Sequence, residues 1–158
     1  MDASRSLGYT LHHISFVLDR QSDLLLQDKF GVGFSQFKIM MALLWHEGVQ
    51  QSEIADFLGQ TEASVSRQVK LLVDQGLVAS RTEPSNRRKR ITCLSTTGEQ
   101  LAREAMAALE LFHAPMFEKL SEHQQAALQD ILEIMHDQAC SIDKSGSCLK
   151  RKGDKWKK

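Results

Sequence analysis

The apolar positions at the start of the chain follow a helical period. They predict an amphipathic helix over residues 6–28, whose stripe consists of Leu7, Leu11, Ile14 and Leu18. The glycines at positions 31 and 33 interrupt this pattern. The run QFKIMMALLW that follows is apolar on nearly all sides, which predicts a buried helix with Ser35 as its N-cap.

Two shorter helical patterns come next, separated by only two or three residues. The first covers residues 51–58 and ends at Gly59, and the second begins at Thr61 as N-cap and ends at Gly76. The inward positions of the second helix are Val65, Val69 and Leu72. A short helix, a tight turn and a capped second helix form a helix-turn-helix arrangement.

The pattern then changes to the two-residue period of β-strands. Residues 77–82 and 87–94 predict two strands, and the polar segment Glu83–Asn86 between them is typical of a turn. Ile91 and Cys93 share one face of the returning strand. These residues predict a β-hairpin whose return arm begins with the basic run Arg-Arg-Lys-Arg.

Two further helices are predicted in the last third of the chain. The stripe of the first consists of Leu101, Ala105, Leu109, Phe112, Met116 and Leu120. Pro115 lies inside it and is expected to kink or break that helix. Ser121 is expected to cap the last helix, whose stripe consists of Leu128, Ile131, Leu132 and Met135. The predicted fold class is mainly α with a small β-hairpin.

Charge is unevenly distributed along a chain that has no net charge. Residues 61–90 carry seven Lys and Arg against three Asp and Glu, and residues 144–158 carry seven against one. The rest of the chain carries six against sixteen. Two basic segments on an acidic body favour a polyanionic partner. Residues 144–158 also lack periodicity, which predicts a disordered basic tail that either aids solubility or binds DNA nonspecifically.

Several classes of protein are disfavoured by the composition. No apolar run approaches the roughly 18–20 residues of a membrane span, and the N-terminus does not resemble a signal peptide. The three cysteines, Cys93, Cys140 and Cys148, form no CxxC pair, which indicates free thiols and a cytoplasmic setting. Cys93 is interpreted as a small buried hydrophobe, and oxidant sensing by Cys140 or Cys148 stays open. No catalytic residue, metal site or cofactor is predicted.

The second helix of the helix-turn-helix unit has a polar outer face. When its apolar residues point inward, helical geometry places Ala63, Arg67 and Lys70 on the opposite side, flanked by Ser64 and Ser66. Arginine can bind a guanine or a phosphate through two hydrogen bonds, and small neighbours let the helix approach base edges. The hairpin arginines can reach phosphates or a minor groove. The alternative interpretation is that this helix face and the basic run of the hairpin are ordinary solvated surfaces.

The segment IADFLGQTEASVSRQVKLLVDQGLVASRTEPSNRRKRITCLSTTGEQL resembles the winged helix-turn-helix of MarR-type bacterial regulators. Residues that match the family pattern at near-constant spacing are Ile54-Ala55, Leu58, Ser64, Ser66-Arg67, Gly76-Leu77-Val78, Pro84, Arg87-Arg88, Leu94-Ser95 and Gly98. The resemblance covers about residues 5–143. It implies a ligand-responsive homodimeric repressor that binds a pseudo-palindromic operator in double-stranded DNA. It also implies a ligand cleft between the dimerisation helices and the DNA-binding lobe.

The resemblance also implies a division of the chain. An N-terminal dimerisation helix covers residues 1–34, a winged helix-turn-helix lobe covers 35–96, and C-terminal dimerisation helices cover 97–143. One departure from the family pattern is Asn86, which stands where the family usually has an aspartate that pairs with a wing arginine. An uncharged Asn makes such a pair weaker.

Two sets of site residues follow. The predicted DNA-binding residues are Thr61, Ala63, Ser64, Ser66, Arg67, Gln68, Lys70, Arg81, Asn86, Arg87, Arg88 and Arg90. The candidates for binding an aromatic effector are Met41, Trp45 and Phe112, which would otherwise belong to the core. An alternative function is a winged-helix module that contacts another protein and has no sequence-specific role on DNA.

Overall fold

The computed structural model describes residues 6–46, 48–83 and 86–142, without the side chains of residues 83, 86–90, 140 and 142. Within those ranges the helices are α1 (Leu7–Phe30), α2 (Phe34–Trp45), α3 (Gln51–Leu58), α4 (Glu62–Asp74), α5 (Thr96–Phe117) and α6 (Glu122–Ile142). The strands are β1 (Val49–Gln50), β2 (Val78–Glu83) and β3 (Asn86–Leu94). The predicted fold class, mainly α with a small β-hairpin, is confirmed.

The three strands form one antiparallel sheet in the order β1-β3-β2. The hairpin β2–β3 is the wing, and its register places Val78 opposite Leu94 and Arg81 opposite Ile91. Strand β1 was not predicted, because a two-residue strand leaves no periodic pattern in the sequence. Its pairing of Val49 with Thr92 fastens the wing to the start of α3.

The core is organised around α2, which confirms the prediction of a buried helix. Ile39 and Met40 are completely buried, and α2 packs against α1, α3, α4 and α5. Each of those helices contributes a buried residue to the same cluster, including Leu26, Ile54, Leu72 and Ala105. Because α2 is enclosed by neighbours, its sequence is apolar on nearly all sides.

The start of α2 differs from the prediction of a Ser35 N-cap. The N-cap is Gly33, which has no side chain to offer, and Ser35 is an exposed residue inside the helix. The first amides are satisfied from elsewhere: Phe34 N donates to Asp23 Oδ1 of α1 at 2.7 Å, and Gly33 N donates to Gln36 Oε1 at 2.8 Å. The cap was missed because its main acceptor lies eleven residues upstream on another helix.

The end of α4 and the start of α5 are held together by a dense set of backbone contacts. Leu77 N donates to Leu72 O at 2.9 Å beyond Gly76, which has a φ of 72°. The Ser95 hydroxyl donates to Gly76 O at 2.7 Å and accepts from Gly98 N at 3.0 Å, capping α5. A Cβ on Gly98 would lie 1.9 Å from Leu77 O, so only glycine fits this junction.

The apolar stripes of the terminal helices are covered only in part. Ala105 and Leu109 of α5 are buried, whereas Phe112 and Met116 farther along the same predicted stripe are exposed. Large exposed apolar side chains also mark α1 and α6, among them Leu7, Tyr9, Leu11, Ile14, Phe16, Ile131, Leu132, Ile134 and Met135. The break expected at Pro115 does not occur at that residue, because α5 continues to Phe117. None of the described helices is both long and apolar enough to span a bilayer.

Replacing Thr92 by valine is expected to stabilise the fold. Thr92 is completely buried, and its hydroxyl has no hydrogen-bond partner among the described residues. Valine keeps the shape and removes an unsatisfied polar group, so the free energy of unfolding should rise by about 1 kcal/mol in urea denaturation. Thr97→Val, at an exposed position of α5, is the matched control and should change little. A loss of stability in Thr92→Val would show that the hydroxyl is satisfied after all.

Candidate nucleic-acid interface

The turn between α3 and α4 is short and fully hydrogen-bonded. Gly59 ends α3 in the left-handed conformation with a φ of 61°, and Gln60 N donates to Ala55 O at 2.9 Å. Thr61 then caps α4, because its hydroxyl accepts from Ser64 N at 3.2 Å. Both the glycine stop and the threonine cap were predicted, and both are confirmed. The turn therefore fixes the orientation of α4 relative to α3.

The inner face of α4 anchors it in the core. Val65, Val69 and Leu72 are at most 2% exposed, as predicted from their spacing. The opposite face is open to solvent at Ala63, Ser66, Arg67 and Lys70, and Ser64 beside it is half-buried. Small side chains around one arginine allow close approach to a major groove about 12 Å wide.

The two basic residues of this face are available for a ligand. Within the described part of the chain, no hydrogen bond or ion pair engages the Arg67 guanidinium or the Lys70 ammonium. By contrast, Arg103 on α5 is paired with Glu99 at 2.8 Å. Unpaired cations on an exposed helix can neutralise phosphates without first breaking an internal contact.

Gln68 has a different environment from the rest of its predicted set. It is half-buried and lines a polar cleft of about 520 Å³ between α4 and the α1–α2 junction, together with Leu71, Asp23 and Gln36. Gln68 thus faces the body of the protein more than the open side of α4. Its contact with DNA stays a prediction.

The wing carries further basic residues in the sequence after α4. Arg81 is exposed on β2, and the backbone of β3 carries Asn86, Arg87, Arg88 and Arg90. The side chains of these four residues, and residues 84 and 85 of the predicted turn, lie outside the described residues. A turn is consistent with the pairing of Glu83 with Asn86, which follows a register shift after Thr82. The predicted basic tail, residues 144–158, also lies outside the described residues.

A second feature is an apolar cleft of about 700 Å³ between α2 and α5, which we call the α2–α5 cleft. Met41 and Trp45, two of the predicted effector residues, line it. Phe112 does not line it, although the next residue, His113, does. Phe37, Leu109 and Phe117 also line the cleft and were not predicted. The helical spacing from Met106 to Phe117 is the sequence signal that identifies this face of α5.

One polar contact links the α2–α5 cleft to α1. The His113 ring nitrogen Nε2 lies 3.2 Å from the hydroxyl of Ser22, which is only 3% exposed. Phe112 packs edge-on against the same imidazole, with ring centroids 5.2 Å apart. The histidine is therefore held from two sides, and its ring forms a fixed part of the cleft wall.

Of the three cysteines, Cys93 is the one with a described side chain. It is half-buried on β3, and its thiol donates to Ala79 O at 3.6 Å. The side chain of Cys140 and the whole of Cys148 lie outside the described residues. The interpretation of Cys93 as a small buried hydrophobe is therefore borne out only in part, because the residue is half-buried.

Comparison with known proteins agrees with this geometry. Residues 30–89 match the model of the MarR family. An HTH-type transcriptional repressor of Mycobacterium bovis is 26% identical over 127 residues, which are 80% of this chain and 91% of the relative.

Solved structures resemble the whole fold. Wild-type apo MarR from E. coli superposes with a TM-score of 0.75 at 20% identity over 82% of this chain and 96% of its own. The MepR–DNA complex from S. aureus gives 0.71 at 21% identity over 84% and 98%. CouR from Rhodococcus jostii bound to p-coumaroyl-CoA gives 0.72 at 22% identity over 85% and 95%. At these identities the structures establish the fold. The chain thus has the fold of MarR-type winged helix-turn-helix structures, and its residues 30–89 are similar to the MarR family.

Proposed function

We propose that the protein is a cytoplasmic, homodimeric repressor that binds a pseudo-palindromic operator in double-stranded DNA and responds to a small ligand. The observation that carries this proposal is α4 itself. Its inner face is locked into the core, while Arg67 and Lys70 project from the open face without internal partners among the described residues. A rigid helix with a small, cationic outer face suits a major groove.

Arg67 and the wing arginines are assigned different roles in DNA binding because of the groups that each can reach. We assign the reading of base edges to Arg67, with Ser64 and Ser66 beside it, because guanidinium can bind guanine through two hydrogen bonds. The wing arginines supply contacts to phosphates or the minor groove, which position the protein without specifying the sequence. The DNA complex of the structurally similar MepR, and the repressor name of the mycobacterial relative, support this assignment.

Dimerisation is supported by the apolar residues left exposed at both ends of the chain. Leu7 is 89% exposed and Ile134 is 70% exposed, and both belong to long helices with several neighbours of the same kind. Apolar faces of this extent mark interaction surfaces, and a second copy of the chain offers the same faces in return. A twofold dimer places two copies of α4 in successive major grooves, about 34 Å apart.

Ligand response is supported by the position of the α2–α5 cleft. It lies between α2, the centre of the winged lobe, and α5, which extends from that lobe into the exposed apolar region. A ligand that binds better when α2 and α5 are spread apart shifts the dimer towards a spacing that no longer fits the grooves. The fold-related CouR was solved with p-coumaroyl-CoA bound, which shows that this fold can hold a ligand.

Replacing Arg67 by alanine is expected to weaken specific DNA binding by about 1–3 kcal/mol, because a base or phosphate contact is lost. The measurement is fluorescence anisotropy on fragments of the upstream intergenic DNA, titrated at several salt concentrations. For the unmodified protein, log K should fall by roughly 0.9 per neutralised phosphate for each unit of log salt.

Arg103→Ala is the matched control, since Arg103 is an exposed arginine that pairs with Glu99 on α5, away from α4. It should bind DNA like the unmodified protein. Equal losses of DNA affinity in both variants would mean that Arg67 contributes only its positive charge to binding. A protein that binds no fragment at low salt would instead favour the protein-contact module.

A further inference from the structure

We propose that the ligand of the α2–α5 cleft is a lipophilic cation, that is, an organic cation whose charge is surrounded by aromatic or aliphatic groups. This inference rests on the proposed ligand response and adds the chemical class of the ligand. Three features of the cleft carry it: apolar walls, carboxylates as its charged groups, and two helix ends of the same sign.

The walls of the cleft select for an apolar ligand. Phe37, Met41 and Trp45 follow one another at intervals of four residues and form one side. On the other side, Leu109 and Phe117 come from a single face of α5. The volume of about 700 Å³ falls in the range of small-molecule sites, which are typically lined by aromatic and aliphatic side chains. Such a site favours a bulky ring system over a small polar ion.

The charges of the cleft select for a positive ligand. Glu110 of α5 and Glu118, the residue that follows this helix, both line it, and the described lining contains no lysine or arginine. A carboxylate-bearing ligand would meet two like charges with no cation to offset them. An organic cation would be attracted to both, and partial exclusion of water by the apolar walls strengthens that attraction.

The C-terminal ends of two helices also favour a positive ligand. Trp45 is the last residue of α2, Phe117 is the last residue of α5, and both line the cleft. The carbonyl end of a helix carries partial negative charge, which a basic residue in the last turn commonly offsets. Neither α2 nor α5 has such a residue. Trp45 and Phe117 are also aromatic, and the face of an aromatic ring attracts a cation.

The remaining polar groups offer little to an anion. Gln125 Nε2 donates to Phe117 O at 3.0 Å and to Leu120 O at 3.1 Å, so both of its N–H groups are in use. What Gln125 has left is its carbonyl oxygen, an acceptor. His113 Nε2 is engaged by Ser22. The two N–H groups of Gln125 and one ring nitrogen of His113 are thus already engaged.

The test uses two ions of nearly the same shape and opposite charge, tetraphenylphosphonium and tetraphenylborate. Each is titrated calorimetrically into the full-length protein without DNA. We expect tetraphenylphosphonium to bind at least about tenfold more tightly than tetraphenylborate, a difference that reflects charge because the apolar surface is shared. Equal binding of the two ions, tighter binding of the borate, or no binding of either would overturn the proposal.

Variants assign the effect to the cleft. The double variant Glu110→Gln, Glu118→Gln is expected to weaken tetraphenylphosphonium binding by about tenfold, since one exposed ionic contact changes an equilibrium by up to about fivefold. Glu104→Gln removes an exposed carboxylate of α5 that does not line the cleft and should leave binding unchanged. Equal loss in the double variant and in Glu104→Gln would locate the cation elsewhere.

A separate measurement distinguishes this inference from the proposed function. DNA binding is followed by anisotropy with and without tetraphenylphosphonium. Release of DNA by the cation supports both. If the calorimetric preference and its loss in the double variant are seen while DNA binding is unaffected, the ligand class stands and the proposed ligand response is wrong.

Discussion

Gly98→Ala is expected to destabilise the folded chain by about 3 kcal/mol or more, a large share of the stability of a domain of this size. The new Cβ would lie 1.9 Å from Leu77 O and 2.8 Å from Leu77 C. Both atoms belong to the backbone, so no flexible side chain can move aside. The junction would have to open, which disturbs the Ser95 hydrogen bonds to Gly76 O and from Gly98 N.

The measurement is urea or thermal unfolding followed by circular dichroism, with Gly8→Ala as the matched control. Gly8 is an exposed residue of α1, and a Cβ there would meet only Ser6 Oγ at 3.8 Å. The control should be neutral or gain up to about 1 kcal/mol, because alanine is the better helix former. Similar stabilities for the two variants would mean that the junction between α4 and α5 relaxes easily.

Ile131→Asp is expected to dissociate the proposed dimer. Ile131 is 54% exposed in the single chain and lies on the predicted stripe of α6. A carboxylate placed without a partner in an apolar interface costs several kcal/mol in each subunit, and a twofold dimer contains the change twice. The molar mass measured by light scattering should fall from two chains to one, and affinity for a two-half-site operator should fall with it.

Gln129→Asp provides the control on the same helix. Gln129 is exposed, and two residues of helix rotate it about 200° away from Ile131, towards the opposite face. It should leave the mass unchanged. If the Ile131→Asp protein is still a dimer, α6 is not part of the interface. If the unmodified protein is a monomer, the proposal of a dimer is wrong.

Local patterns were enough to predict most of the fold. The limits of α3 came directly from its apolar face and from Gly59, and α4 came from Thr61 and its three inward residues. Ser95 shows where such reasoning stops. Its capping of α5 is local, but its bond to Gly76 O joins residues nineteen positions apart, and no pattern in one sequence reports such a contact.

The site was predictable to the extent that it depends on helical geometry. The open face around Arg67 follows from the period of α4. Met41 and Trp45 line the α2–α5 cleft, and their binding of an effector stays a prediction. Phe112 and Phe117 were not distinguishable in the sequence, because both are aromatic residues near the end of α5. Only the direction of that helix relative to α2 decides that Phe117 lines the cleft.

The junction at Gly98 also determines how far a change in the tilt of α5 would displace α4. The 22 residues of α5 span about 33 Å at about 1.5 Å per residue. Because the start of α5 is fastened directly to the residues that follow α4, a tilt of α5 would carry α4 with it. A tilt of about 6° about the far end moves the start of α5 by about 3.4 Å, which is one base-pair step. In the proposed dimer, a ligand would therefore need to change the inclination of α5 only slightly to put the two copies of α4 out of phase with the duplex.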